Sequence, residues 1–174
     1  LKFGLHHNPV ATVKKTVKRK AVGNRSLSRS EIKILWHTDQ LTPPMLLALK
    51  MLLTTGQRVE EVLHATWAEF DTSQMTWIIP GQRRKTRGWT SEPHIVPLTT
   101  FHLELLNEIK HETAHNIYLF PAKGGETPRR YDALTNYVRK FVQRSGIESF
   151  SPRDIRRTFK TIAGSLGISL ELRN

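Results

Sequence analysis

The segment from Pro43 to Gly56 constrains the fold more than any other part of this sequence. Between these two residues, the run MLLALKMLL is apolar around nearly the whole circumference of a helix. Such a helix is stable only when other elements cover all of its sides. Pro43 and Pro44 suit the first turn of a helix, and Gly56 suits its end. The sequence therefore predicts a central helix around which the rest of the chain packs.

Shorter patterns predict helices before and after this one. Ser28 and Glu31 have the spacing of a capping box ahead of a run of apolar residues. A third helix is expected to begin directly after Gly56 and to place Arg58 in its first turn. Apolar periodicity predicts further helices over 100–113, 131–144 and 153–166.

Two short apolar runs, 75–79 and 94–98, are the strand candidates. They are separated by 81–92, a polar loop that is long for a hairpin, and long loops are often functional. Together with the helices, these strands predict an α+β fold that is mainly helical and has a small antiparallel sheet.

The segment 153–166 carries two patterns at once. Apolar residues recur at helical spacing and predict a buried stripe, while cations at i, i+3 and i+7 lie on a different face. The helix is thus expected to pack against the core and to present three positive charges elsewhere. The apolar stripe consists of Ile155, Phe159, Ile162, Ala163 and Leu166, and the cations are Arg153, Arg156 and Lys160.

Positive charge is concentrated in three stretches of the chain. The 174 residues have a formal net charge of +12. Residues 1–30 hold eight basic residues and no acid, and 129–160 hold nine basic residues against three acids. Four more cations crowd the loop at Arg83, Arg84, Lys85 and Arg87. Charge placed in this way indicates a polyanionic partner, for which nucleic acid is the default.

Composition excludes several classes of protein. The chain has no cysteine, which excludes disulfides, cysteine-ligated metal centres and thiol catalysis. No apolar run approaches the roughly 20 residues that span a bilayer, and the first residues lack the apolar core of a signal peptide. We therefore expect a cytoplasmic protein without a membrane partner.

Three of the cations fit phosphodiester chemistry. Such chemistry needs cations around the non-bridging oxygens and a proton donor for the leaving oxygen. Arginine pairs bidentately with phosphate and stays charged, which makes Arg58 and Arg156 the candidates for holding it. Within the loop, only Lys85 can release a proton, so it is the candidate general acid.

The same residues carry a resemblance to a known family. Residues 55–62, TGQRVEEV, followed by Trp67 and Asp71, resemble the first arginine box of the tyrosine recombinases, the phage integrase family. Residues 151–158, SPRDIRRT, resemble the second box, and Lys85 matches the family's catalytic lysine in position. The resemblance extends over residues 27–174.

The resemblance implies an enzyme that exchanges DNA strands through a 3′-phosphotyrosyl intermediate without a cofactor or metal ion. Arg58 and Arg156 would clamp the scissile phosphate, and Lys85 would protonate the leaving 5′ oxygen. Glu61 would support the arginine site from behind. The protein would be bacterial or phage-encoded. Its full-length form would act as a synaptic tetramer on attachment-type sites in double-stranded DNA. This chain alone could be a monomer.

Two departures from the family pattern affect these expectations. Arg153 occupies the position at which the family's second box usually has histidine. Because arginine cannot accept a proton near neutral pH, Arg153 is assigned a third phosphate contact. The family's nucleophilic tyrosine lies downstream of the second box, whereas Tyr118, Tyr131 and Tyr137 all precede Arg156. We therefore expect a catalytic domain truncated before its nucleophile and inactive by itself, with Tyr131 and Tyr137 in packing roles.

The resemblance also suggests a division of the chain. Residues 1–26 would form a basic arm, a linker from a core-binding domain that the chain lacks, and residues 27–174 would form the catalytic domain. The arm is expected to follow the DNA backbone, which makes binding steeply dependent on salt. The candidate DNA-binding residues are Lys14, Lys15, Lys18, Arg19, Lys20, Arg83, Arg84, Arg87, Arg157 and Lys160.

Two other functions compete with this one. Ala163 and the turn at Gly167 resemble part of a helix-turn-helix, which would make the chain a non-catalytic DNA-binding module. His111 and His115 complete an HExxH motif, the pattern of zinc hydrolases, although no histidine follows to serve as a third ligand. The preferred prediction assigns no metal ligands.

Overall fold

Helix α2 (Pro43–Thr55) is the centre of the fold. Its residues Met45, Ala48, Leu49, Met51 and Leu52 are completely buried, which confirms the predicted central helix. Gly56 ends the helix in the left-handed conformation, with φ of +63°. Although α2 is strongly apolar, neither it nor any other helix in the described ranges is long and apolar enough to cross a membrane.

The computed structural model describes residues 25–83 and 92–169. Within these ranges, five further α-helices and two short 3₁₀ helices surround α2, together with one antiparallel sheet. The other α-helices are α1 (Arg29–Trp36), α3 (Val59–Leu63), α4 (Thr100–Thr113), α5 (Tyr131–Ser145) and α6 (Pro152–Ser165). The 3₁₀ helices are Trp67–Glu69 and Gly81–Arg83, and the strands are β1 (Phe70–Asp71), β2 (Thr76–Ile79) and β3 (His94–Pro97).

The three strands form a sheet in the order β1-β2-β3. In its register, Trp77 lies opposite Val96, and both side chains are buried against the core. The neighbouring pair, Ile78 and Ile95, lies on the outer face and is exposed. The mainly helical fold with a small antiparallel sheet is thereby confirmed, and both strands lie within a residue of the predicted bounds.

The start of the described chain is attached to α6. The backbone N–H of Leu27 donates a hydrogen bond to Oγ1 of Thr158, at 2.8 Å, and Leu27 is buried. Ser28 and Glu31 form the predicted capping box of α1. Arg25, which the sequence analysis assigned to the arm, pairs with Glu31 and Glu148. The division at residue 26 stays a prediction.

The apolar stripe of α6 is buried over only part of its length. Ile155 and Ala163 are buried, as predicted. Ile162 and Leu166 are 40% and 74% exposed, so the prediction that they are buried was wrong. The helix packs against α2, and the described part of the chain places no element over its far end. Periodicity identifies an apolar face, but a neighbour has to be present to cover it.

His102 is a buried histidine in the first turn of α4. Its Nδ1 accepts a hydrogen bond from the backbone N–H of Thr99, at 3.1 Å, and thereby caps the helix. Only 7% of the residue is exposed. Burial lowers the pKa of His102, and an interaction with the backbone of Thr54 opposes this effect in part.

We expect the free energy of unfolding to fall as the pH drops below the ordinary histidine pKa of about 6.5. Because the pKa of His102 is lower in the folded chain, the unfolded chain takes up the proton first, and acid favours unfolding. His64, whose pKa is lowered by burial and then by the charge of Arg83, adds an effect of the same sign.

The substitution His102→Gln isolates the first contribution, since glutamine keeps an acceptor for Thr99 and does not titrate. Chemical denaturation between about pH 8 and pH 5 should show a shallower pH dependence for the variant than for the wild type. Equal slopes for the two proteins would contradict the assignment to His102.

Candidate active site

Arg58 stands at the start of α3 and is fixed there by Glu61. It occupies the N-cap position, one residue before the helix rather than in its first turn as predicted. The carboxylate of Glu61 accepts two hydrogen bonds from Arg58, each 2.8 Å long, one from the backbone N–H and one from Nη1. Glu61 is only 2% exposed. This buried carboxylate therefore holds Arg58 from behind, while the side chain of Arg58 stays 37% exposed.

Arg156 reaches from α6 to the end of α2. Its Nη1 donates a hydrogen bond of 2.5 Å to the backbone carbonyl of Gly56, two residues before Arg58. Burial lowers the pKa of Arg156, and the like charge of Arg58 lowers it further, whereas Glu61 acts in the opposite direction. An arginine remains protonated at neutral pH even so. The two motifs, far apart in sequence, thus bring two cations to one place.

Gly56 allows α2 and α6 to approach closely at this point. A Cβ atom built on Gly56 would lie 2.0 Å from Cδ1 of the Phe159 ring. With φ of +63°, the residue also adopts a backbone conformation that side chains other than glycine's rarely occupy. The contact between Arg156 and the Gly56 carbonyl therefore depends on a residue without a side chain.

A cavity of about 400 Å³ opens beside these residues. Six basic side chains line it against two acids, so a bound anion would be surrounded by excess positive charge. The basic residues are Arg58, Arg83, Arg153, Arg156, Arg157 and Lys160, the acids are Glu60 and Glu61, and Val59 and Tyr131 complete the lining.

The N-terminus of α6 lies at this cavity and is capped by its own residues. Asp154 accepts hydrogen bonds from the backbone N–H and the hydroxyl of Ser151, at 2.8 and 2.7 Å. Its other oxygen accepts from Nη1 of Arg157, at 2.5 Å. Burial acts to raise the pKa of Asp154, but these hydrogen bonds outweigh it and hold the pKa below its usual value. Arg157 therefore lines the cavity with its charge partly compensated.

Arg83 is tied to the body of the domain. Its guanidinium pairs with Glu69 and donates to the backbone carbonyl of His64. Glu69 also accepts a hydrogen bond from Nε1 of Trp77, at 3.0 Å. Arg83 thus joins the 3₁₀ helix that follows β2 to the residues that follow α3. It lines the cavity, and its contact with DNA stays a prediction.

Several predicted site residues lie outside the described ranges. Among them is Lys85, the candidate general acid, whose role stays a prediction. The others are Arg84 and Arg87 of the loop and Lys14, Lys15, Lys18, Arg19 and Lys20 of the arm.

Three residues that line the cavity were not predicted as site residues: Val59, Glu60 and Tyr131. Tyr131 was assigned a packing role, and its ring does pack partly buried against the core. It also lines the cavity, with the guanidinium carbon of Arg153 5.1 Å from the ring centroid. Tyr131 lies on the apolar face of the predicted helix 131–144, and that pattern does not distinguish a core aromatic from one at the edge of a site.

The described residues of the HExxH motif and of the predicted helix-turn-helix do not line this cavity. Helix α4 ends at Thr113, between His111 and His115, so the HExxH residues do not share one continuous helix. Within 25–83 and 92–169, no group of three or more potential ligands could hold a metal ion. Gly167 follows α6 with φ of +81°, and the residues that would begin a recognition helix extend beyond the described range.

A family profile and two integrase sequences are similar to this chain. The sequence profile described as "Phage integrase family" matches residues 25–171. The integrase of Enterobacteria phage P4 is 35% identical over 83 residues, covering 43% of this chain and 19% of that protein. Prophage integrase IntZ of Escherichia coli K12 is 24% identical over 164 residues, covering 92% of this chain and 39% of that protein. The chain therefore spans less than half the length of these relatives.

Solved structures share the fold. The XerH site-specific recombinase, bound to its difH substrate, superposes with a TM-score of 0.66 at 21% identity, covering 85% of this chain and 45% of that one. The integrase of transposon Tn1549, in complex with circular intermediate DNA, gives a TM-score of 0.70 at 17% identity, covering 90% of this chain and 58% of that one.

Proposed function

Because the chain belongs to the phage integrase family, the tyrosine-type recombinases, we propose that residues 27–174 act as the catalytic domain of a site-specific DNA recombinase. The observation that carries this proposal is the meeting of Arg58 and Arg156 at one cation-lined cavity. The XerH recombinase bound to its difH substrate and the Tn1549 integrase in complex with circular intermediate DNA support DNA as the partner, and we take it to be double-stranded.

In the proposed reaction, Arg58 and Arg156 hold the non-bridging oxygens of the scissile phosphate. A tyrosine hydroxyl loses its proton to solvent as its oxygen attacks the phosphorus, a phosphorus–oxygen bond to the tyrosine forms, and the bond to the 5′ oxygen breaks. The positive charges stabilise the negative charge that builds up on the phosphate oxygens. Lys85 gives a proton to the leaving 5′ oxygen, and Arg153 supplies a third phosphate contact. The DNA end is left as a 3′-phosphotyrosyl ester.

The attacking tyrosine is proposed to lie outside this chain. The ring of Tyr131, although at the cavity, packs against the core and lies under Arg153. We assign Glu61 to the support of Arg58, because it is buried and accepts two hydrogen bonds from that residue. The basic arm at 1–26 follows the DNA backbone from a separate core-binding domain, and the complete protein assembles as a synaptic tetramer on its site.

Covalent capture tests the reaction. The natural gene product that contains this chain is incubated with nicked DNA duplexes of randomised sequence, and protein-linked DNA is recovered after denaturation. We expect a protease-sensitive adduct on a 3′ phosphate, because the nick lets the cleaved strand diffuse away and traps the ester.

A DNA-binding measurement distinguishes the recombinase from a helix-turn-helix DNA-binding module. The chain alone should bind mixed-sequence duplexes with an affinity that falls steeply with salt. Specific binding to a short palindrome that Arg58→Ala and Arg156→Ala leave unchanged, with no adduct from the gene product, would contradict the recombinase and favour the helix-turn-helix module.

A further inference from the structure

Tyr131 lies at the junction of the core and the cavity. It is the first residue of α5, and its half-buried ring packs against the hydrophobic core. Oγ1 of Thr135 donates a hydrogen bond to the Tyr131 carbonyl, at 3.1 Å, within the first turn of the helix. The ring is therefore attached to a rigid element on one side and borders the cavity on the other.

Arg153 lies over this ring. Its guanidinium carbon is 5.1 Å from the ring centroid, within the range of a cation–π interaction. Arg153 is an exposed residue with a long side chain, which would otherwise sample many rotamers in water. The negative face of the ring attracts the guanidinium, whose several N–H groups can still donate to an anion.

We propose that Tyr131 is a positioning residue that holds the Arg153 guanidinium at the rim of the cavity, ready for a DNA phosphate. The inference rests on the proposed function, in which Arg153 contacts that phosphate. The ring acts through its face, so its hydroxyl is dispensable for this role. Tyr131 takes no part in making or breaking bonds.

A double-mutant cycle in the 174-residue chain tests the proposal. The variants are Tyr131→Leu, Arg153→Ala and the combination of both, and the probe is a fluorescein-labelled 30-base-pair duplex of mixed sequence (a length of about three helical turns). Dissociation constants are measured by anisotropy over a series of salt concentrations. Loss of one phosphate contact should weaken binding and reduce the slope of log K against log salt by about 0.9.

We expect Arg153→Ala to produce that loss of slope. Tyr131→Leu should weaken binding about 2- to 5-fold and reduce the slope in the presence of Arg153, in keeping with an exposed cation–π contact. In the Arg153→Ala background it should change neither quantity. Tyr131→Phe should bind like the wild type, because it keeps the ring.

A matched control comes from the same helix. Tyr137 is also half-buried and packs against the core, but it does not line the cavity. Tyr137→Leu should therefore lower the melting temperature and leave the salt slope unchanged. Where Tyr131→Leu does not fold, Tyr131→Met preserves the apolar volume and serves in its place.

The outcomes separate this inference from the proposed function. Additive effects of Tyr131→Leu and Arg153→Ala would overturn the positioning role while leaving the phosphate contacts intact. Tyr131→Phe behaving like Tyr131→Leu would overturn it as well, since the hydroxyl would then be responsible. An unchanged slope in Arg153→Ala would remove the contact that Tyr131 is meant to support, and with it the inference. Failure of the proposed function itself would show instead as unchanged slopes in Arg58→Ala and Arg156→Ala.

Discussion

Arg156→Ala is expected to lower the rate of covalent adduct formation by the natural gene product about 10²- to 10³-fold, the effect of removing one preorganised donor from a developing negative charge. Arg156 is held beside Arg58 by its hydrogen bond to the Gly56 carbonyl, so its guanidinium is positioned before the substrate arrives. Binding of DNA should fall much less, because many other phosphate contacts remain.

Two further variants separate charge from geometry in this result. Arg156→Lys keeps a positive charge but loses the planar pair of donors, so its adduct rate should lie between those of the wild type and the alanine variant. Arg144 is exposed on α5 and does not line the cavity. Arg144→Ala should therefore leave the adduct rate unchanged even if DNA affinity declines. A rate for Arg156→Ala within a few-fold of the wild type would refute the phosphate clamp.

Gly56→Ala is expected to destabilise the fold by about 2–5 kcal/mol. The left-handed backbone contributes about 1–2 kcal/mol of this, and the overlap of the new methyl group with Phe159 contributes about 1–3 kcal/mol. The melting temperature should fall by about 5–20 °C, and Arg156 should lose its position because the Gly56 carbonyl moves.

Gly146 provides the matched control for this substitution. It ends α5 as Gly56 ends α2, with φ of +70°, but a Cβ there would meet nothing within 4 Å. Gly146→Ala should therefore show the backbone contribution alone, about 1–2 kcal/mol. Equal destabilisation by the two substitutions, measured by thermal and chemical denaturation, would show that the contact with Phe159 is unimportant.

Much of the fold could be predicted because it follows from local patterns. The bounds of α4 agree with periodicity alone, and the cap at Ser28 agrees with its spacing to Glu31. Exposure of Ile162 and Leu166 could not be predicted in the same way. Periodicity depends on residues within a few turns, whereas burial depends on which distant element lies over a face.

The candidate site was likewise predictable only in part. The resemblance of residues 55–62 and 151–158 to the two arginine boxes of the family assigned Arg58 and Arg156 to one site, and both line the cavity. The hydrogen bond from Arg156 to the Gly56 carbonyl carries no sequence signal, because every residue has a backbone carbonyl and tertiary packing selects the one that is used. Tyr131 was missed for a related reason, since one aromatic ring can serve the core and a cavity at once.

The bond between Arg156 and Gly56 joins residues 100 positions apart. Forming this contact requires closure of a loop of that length, which costs conformational entropy that local contacts do not cost. During synthesis, α2 and α3 leave the ribosome well before α6, which means that the first motif exists for some time without its partner. A nascent or clipped chain that ends before α6 therefore has Arg58 and Glu61 but lacks the paired cations. The pairing of Arg156 with Arg58 at the cavity therefore forms only when α6 packs against the end of α2.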